Sequence, residues 1–219
     1  MASAKEIIAN RVAMFLNDGD VVNLGIGLPT MVGDYIPEGI EVFIQSENGI
    51  LGMDRVALEG EIDKDVSNSG GQPVLVKPGA MYFDSTVSFG IIRGGHVDVT
   101  VLGALQVDEK GNLASHTVPG KMMPGMGGAM DLVVGAKEVI IATTHTQKGD
   151  VKLLKNITLP ATAIKCVNYI VTELCVIHVT NQGFELMEIA PGITVEEVQA
   201  QTEAQLIVPA DLKIMPVLE

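Results

Sequence analysis

The chain has 219 residues, 47% of them apolar and 4% aromatic, with no Trp and a formal net charge of −13. Its core must be filled by Val, Ile, Leu, Met and Ala, which suits a largely parallel sheet covered by helices, and the acidity argues against a nucleic-acid partner, which needs a basic patch. No apolar run is long enough to span a membrane and no signal-peptide hydrophobic region follows Met1-Ala2-Ser3-Ala4-Lys5-Glu6, so a cytoplasmic protein with reduced Cys166 and Cys175 is expected, and His96, His116, His145 and His178 show no metal-ligand spacing.

Residues 4–17 carry Ile8, Val12, Phe15 and Leu16 at helical spacing, with Gly19 placed as a stop. Asp20-Val21-Val22-Asn23-Leu24 reads as a short strand running into Gly25-Ile26-Gly27-Leu28-Pro29-Thr30, a glycine turn that opens a short helix towards Tyr35. A strand, a glycine loop and a helix in that order can bind a phosphate or carboxylate. Close packing at a strand end explains Gly25 and Gly27 equally well, since neither a full dinucleotide fingerprint nor a Walker lysine is present. Val42-Phe43-Ile44 is the next predicted strand, and Gln45-Ser46-Glu47-Asn48-Gly49-Ile50-Leu51-Gly52 is the turn leaving it. Glu47 thus stands at the carboxyl end of a core strand, where open α/β sheets place their ligands. A carboxylate held ionised and oriented there can act as a nucleophile. The alternative is an acid that caps the strand end by accepting backbone N–H bonds.

Residues 53–72 form a polar, acidic surface excursion carrying Asn68-Ser69-Gly70-Gly71. Val74-Leu75-Val76 resumes strand character and Lys77-Pro78-Gly79 turns it; Phe89-Gly90-Ile91-Ile92 leads into Arg93-Gly94-Gly95-His96. The β-branched stretch from Val97 to Asp108 reads as one long strand, and Asp108-Glu109-Lys110-Gly111-Asn112 as the turn of a hairpin. A second glycine-rich stretch, Pro119 to Asp131, would enter a helix near Ala129 and aim free backbone N–H groups at whatever precedes it. Glu138 to Thr143 is a buried strand, Val171–Val179 and Phe184–Ile189 are strands joined at Asn181-Gln182-Gly183, and Thr194-Val195-Glu196-Glu197 is a capping box. With no repeat or linker, residues 1–219 read as one domain.

Four motifs, taken in order, resemble the β subunit of family I CoA-transferases of the 3-oxoacid or acetoacetate/butyrate type. They are Asn23-Leu24-Gly25-Ile26-Gly27-Leu28-Pro29, Ser46-Glu47-Asn48-Gly49, Ile92-Arg93-Gly94-Gly95-His96-Val97-Asp98, and Pro119-Gly120-Lys121 through Gly127-Gly128-Ala129-Met130-Asp131-Leu132. The resemblance implies an α/β fold with an open, mostly parallel sheet flanked by helices, the CoA-transferase-like fold. It implies transfer of CoA from a short-chain acyl-CoA, of the acetoacetyl-CoA or butyryl-CoA class, to a free carboxylate. The route would be ping-pong, through a glutamyl-CoA thioester on Glu47. Gly128 matches the family's oxyanion-hole glycine and Asn23 an asparagine that helps bind CoA. Gly25, Gly27, Asn48, Gly49 and Gly127 complete the implied CoA and substrate loops. An α subunit would supply the other oxyanion donor and pair with this chain as an α2β2 heterotetramer. No metal or redox cofactor is implied, CoA being a substrate.

Two departures bear on the site. Gly71 stands where some relatives have a CoA-contacting lysine, and Ser115-His116 stands where many have Asn-Trp. Arg93 and His96 could orient a carboxylate or serve only the glycine turn they flank. An acyl-CoA hydrolase using the same Glu47, and a non-catalytic ligand-sensing module on the same fold, are the rival readings.

Overall fold

A computed structural model describes residues 2–118, 120 and 125–216; Pro119, Lys121, Met122, Met123 and Pro124 of the glycine-rich stretch lie outside it. The first half of the chain forms α1 (Ala4–Ala13), β1 (Val21–Leu24), a 3-10 helix (Leu28–Tyr35), β2 (Phe43–Ser46), β3 (Ile50–Val56), β4 (Val74–Tyr82), α2 (Ser85–Arg93), β5 (Val99–Leu102), β6 (Gln106–Asp108) and β7 (Leu113–Ala114). The second half forms α3 (Ala129–Gly135), β8 (Glu138–Ala142), β9 (Thr146–Gln147), β10 (Asp150–Val151), β11 (Leu153–Leu154), β12 (Tyr169–Val171), β13 (Cys175–Thr180), β14 (Gly183–Ile189), α4 (Val195–Ala200) and β15 (Lys213–Ile214).

Ten strands make one sheet in the order β15-β14-β13-β12-β8-β5-β1-β2-β3-β4. Its centre, β12-β8-β5-β1-β2, is wholly parallel, antiparallel pairings extend it on both sides, and β15 joins β14 in parallel at one edge. The central strands are buried on both faces, which is why Val99-Thr100-Val101-Leu102 shows no polar alternation. Successive side chains point to opposite faces. Val22, Ile44, Val99 and Val101 meet Ile8 and Val12 of α1. On the other face Val21 packs with Ile92 of α2 and Leu132 of α3. The two helices on that second face approach so closely that a Cβ at Gly135 would collide with the carbonyl of Ile92.

Polar groups fix the helix ends. Ser3 with Glu6 and Thr194 with Glu197 form capping boxes, and Asp84 accepts from the N–H of Val87 to start α2. Arg11 of α1 donates to both carboxylate oxygens of Glu188 on β14 at 2.7 Å, tying the first helix across the sheet.

Several expectations change. The helix ends at Ala13, not residue 17, and tightens into turns in which Phe15 and Leu16 donate to Val12 and Ala13. Gln45 and Ser46 belong to β2 and Ile50 to Gly52 to β3, so the turn expected over residues 45–52 shortens to Glu47-Asn48-Gly49 within a hairpin. Lys77-Pro78-Gly79 does not end its strand. The segment is the sheet edge, where a proline's missing N–H goes unneeded. Phe89 to Ile92 is helical. The stretch from Val97 to Asp108 breaks at Gly103, sending β5 into the large sheet and β6 into a small one with β7 and β11. The expected strand from Val171 to Val179 reverses at Thr172, whose hydroxyl accepts from Leu174 and Cys175.

Candidate active site

Asn23 and Gln45 lie in register on the parallel strands β1 and β2. Both point to the α2 side and both are 1% exposed. Asn23 Nδ2 donates to Gln45 Oε1 at 2.7 Å, to the Gln45 backbone carbonyl at 3.2 Å, and to Glu47 Oε2 at 3.2 Å. Gln45 Nε2 in turn donates to Ser88 Oγ of α2 at 3.0 Å. Glu47 is half-buried just beyond β2, and among the described residues its carboxylate accepts from Asn23 and from no backbone N–H. The geometry is therefore that of an oriented side-chain carboxylate, not of a strand cap.

Gly128 immediately precedes α3. A Cβ there would lie 3.0 Å from Glu47 Cγ and 3.4 Å from both Cδ and Oε1. The absence of a side chain is what lets the chain turn into α3 against the carboxylate. Glu47 is thus held on Oε2 by β1 and approached on Oε1 by the foot of α3. A carboxylate with one oxygen bonded and the other against bare backbone can attack an electrophilic carbonyl.

The remaining expected residues divide by role. Gly25 donates its N–H to the Val101 carbonyl at 2.8 Å, and a Cβ would sit 3.0 Å from that oxygen, so close strand packing accounts for it. Gly27 has φ +91° in open space at the start of the 3-10 helix. Gly49 has φ +123°, and a Cβ would collide with the Phe83 carbonyl. Asn48 does not face Glu47's partners; its Nδ2 donates to the Ser67 carbonyl at 2.7 Å. With the Ser69 N–H donating to Ser46 Oγ at 3.0 Å, it pins the surface excursion beside the nucleophile strand. Gly70 on that excursion packs under Ile26 of the first glycine turn, while Gly71 has φ +78° and open space around it. Gly127 has φ +54°, also in open space.

Glu47 lines neither of two clefts found in this half of the fold. One of about 510 Å³ lies on the 3-10 helix side, bounded by Leu24, Ile26, Thr30, Ile44 and Asn68. The other, about 470 Å³, runs between α2 and α3 past Ser85, Phe89, Arg93, Gly127 and Asp131. Arg93 is committed to Asp131 at 2.6 Å and lies over the Phe89 ring, and the neighbouring acid raises its pKa further. His96 packs its ring against Gly94. The His96 contact is with the glycine turn, whereas Arg93 ties α2 to α3 and does not touch that turn. Ser115 N–H, Ser115 Oγ and His116 Nδ1 converge on Thr162 Oγ1 at 2.9–3.0 Å, which ties that hairpin down locally.

Gln45 and Ser88 escaped the sequence reading. The usable signal was an amide at the same depth as Asn23 on the adjoining strand; that they are neighbours is a fact of register. Away from the site, burial raises the Cys166 thiol to about 11 and the Cys175 thiol to about 12, so both stay protonated and unreactive. Among the described residues no group of three or more His, Cys, Asp or Glu is placed to hold a metal ion, and no helix is long and apolar enough to cross a membrane.

Comparison with known proteins identifies the family of the chain. The beta chain of the acetate CoA-transferase of Escherichia coli (strain K12) is 55% identical over 210 residues, covering 95% of this chain and 96% of its own. One of the component chains of the probable succinyl-CoA:3-ketoacid coenzyme A transferase of Bacillus subtilis (strain 168) is 45% identical, covering 95% of this chain and 97% of its own. The fold matches the crystal structure of an acyl-CoA transferase apoenzyme from Escherichia coli O157:H7 with TM-score 0.80 at 22% identity over 98% of this chain; that protein is longer, and this chain spans 43% of it. The model of the coenzyme A transferase family matches residues 5–201, and with relatives this similar along almost the whole length, the chain belongs to the coenzyme A transferase family, an enzyme family, on the side of its beta-type members.

Proposed function

We propose that this chain, paired with an α subunit, transfers CoA from a short-chain acyl-CoA to a free carboxylate through a covalent glutamyl-CoA on Glu47. The observation that carries the reading is the Glu47 carboxylate held by Asn23 on one oxygen with Gly128 against the other. A Glu47 oxygen attacks the thioester carbonyl, the C–S bond breaks, and CoA leaves as a thiolate, giving a mixed anhydride. The thiolate then attacks Glu47 Cδ, the Cδ–O bond breaks, and the acyl group departs as a carboxylate. The acceptor carboxylate runs the same steps in reverse. Donor, acceptor and carrier are all carboxyl groups, so each exchange is nearly isoenergetic and the thioester survives as long as water is kept out.

Each tetrahedral oxyanion needs donors. The Gly128 N–H is our assignment for one, and a donor of this kind contributes about 3–4 kcal/mol elsewhere. Acetate and succinyl-CoA:3-ketoacid in the names of similar proteins support short acids as the substrate class. Those relatives are each named as one component of an enzyme, and the structural match is a longer chain; both support an α partner. We assign an α2β2 assembly in the cytoplasm, with this chain as one domain of it.

The test is intact mass spectrometry of the chain co-purified with its α partner and incubated with acetoacetyl-CoA alone. We expect a mass gain of CoA less one water on Glu47, discharged by added acetate or butyrate and absent in Glu47→Gln. Free CoA released with no adduct would replace the transferase by the hydrolase. Neither, across a panel of acyl-CoAs, would leave the ligand-sensing module.

A further inference from the structure

We propose that Gln45 and Ser88 are positioning residues that key the Asn23 amide so that its NH2 group faces Glu47; the inference rests on Glu47 being the carrier. Three acceptors surround Asn23 Nδ2: Gln45 Oε1 at 2.7 Å, the Gln45 backbone carbonyl at 3.2 Å and Glu47 Oε2 at 3.2 Å. Turning the amide over would set the Asn23 oxygen against a backbone carbonyl and a carboxylate, neither of which has a proton to give. The NH2 group therefore faces Glu47, and Gln45 must offer Asn23 its oxygen. That leaves the Gln45 NH2 for Ser88 Oγ, which accepts at 3.0 Å.

Two amide hydrogens serve those three acceptors. The short bond to Gln45 Oε1 takes one, and the other is shared between the Gln45 carbonyl and Glu47. Of the three acceptors, the Gln45 side chain makes the shortest bond and is free of the main chain, so its position sets how the NH2 group is aimed. If Gln45 swings away, Asn23 loses its 2.7 Å bond and can rotate out of line with the carboxylate. Ser88 prevents that swing, from a position 0% exposed in the packed interior of α2.

Asn23, Gln45 and Ser88 are at most 1% exposed, among Val and Ile side chains and the buried Thr100 that lies in register with Asn23 on β5. A Met and an Ala would fill the places of Gln45 and Ser88, and replacing both hydrogen-bond partners by apolar groups is close to neutral for stability. The pair then serves aim rather than folding.

The experiment measures single-turnover formation of the CoA adduct on Glu47, in the complex with the α partner, for wild type, Ser88→Ala, Ser88→Thr, Gln45→Met and the double variant Gln45→Met/Ser88→Ala. Ser88→Ala and Gln45→Met are expected to slow adduct formation about tenfold, the equivalent of one hydrogen bond to a charged group. The half-saturating acyl-CoA concentration should stay as in wild type. Ser88→Thr should restore the rate, and the double variant should be no slower than either single one while unfolding near the wild-type temperature. Undiminished rates in folded Ser88→Ala and Gln45→Met would overturn the positioning role, as would a change in half-saturation with no change in rate. A wild-type complex forming no adduct on Glu47 would instead remove the carrier reading beneath it.

Discussion

Replacing Gly128 by Ala tests the site's geometry with the least collateral damage. Gly128 has φ −77° and ψ 0°, a conformation open to any residue, so the backbone is not strained by a side chain. Alanine at a helix N-cap loses up to about 1 kcal/mol, while Gly→Ala gains about 0.4–1 kcal/mol by restricting the unfolded chain. Stability should therefore stay within about 1 kcal/mol of wild type. The new methyl, however, would lie 3.0 Å from Glu47 Cγ, where about 3.5–4.0 Å is the comfortable separation of carbon atoms. Glu47 must retreat by about half an ångström, and misplacement of about 1 Å costs about 100-fold, so displacement alone gives about tenfold. Its 3.2 Å bond to Asn23 is put out of line by the same movement; a hydrogen bond to a charged group is worth about 1.5–3 kcal/mol. Adduct formation on Glu47, followed by quenched mass spectrometry in the α-paired complex, should slow by about 10–100-fold. Gly127→Ala is the control with the opposite pattern. Its φ of +54° with open space around it predicts a stability loss of about 1–2 kcal/mol and a much smaller rate effect. A folded Gly128→Ala protein reacting at the wild-type rate would refute the placement of Glu47 against this glycine.

Gly49→Ala should be disabling for the fold: its φ of +123° and the collision with the Phe83 carbonyl together cost about 3 kcal/mol or more, lowering the thermal midpoint by about 6 °C or more; an unchanged midpoint would show that the turn rearranges freely. His145 sets an acid limit. It is 0% exposed between Thr172 and Thr202, and burial lowers its pKa from 6.5 to about 4. Below pH 6.5 the unfolded chain takes up a proton that the folded chain refuses until about pH 4. This contribution is therefore constant above pH 6.5 and is lost as pH falls towards 4, at about 1.4 kcal/mol per unit and about 3 kcal/mol in all. Urea unfolding at several pH values in that window should show the slope in wild type and a shallower one in His145→Gln; parallel slopes would contradict the assignment.

Much of the arrangement around Glu47 was legible in one dimension. Glu47 after an apolar strand, the glycine turn after Asn23 and the capping box at Thr194 are local patterns, and local patterns are written in consecutive residues. The strand boundaries that misled share one cause. Lys77-Pro78-Gly79 looks like a turn until β4 is known to be the sheet edge, and Ile50-Leu51 looks like the end of a loop until β3 is seen returning along β2. Whether a segment may carry a proline or reverse direction depends on what lies beside it.

Residue order alone sets which residue types are available at the site: one acid at a strand end, an asparagine on the preceding strand, and glycines where backbone must come close. Which of them meet is a matter of how the strands and helices pack. Asn23 and Glu47 are brought together by the parallel register of β1 on β2, Gly128 by the packing of α3 beside α2, and Ser88 by the helix that carries it under Gln45. Hydrogen bonds and close contacts fade within an ångström or so, whereas sequence separation places no limit on distance in space. The partners of a side chain 24, 43 or 81 positions away are therefore set by how the sheet and helices pack, and by nothing in the local chain.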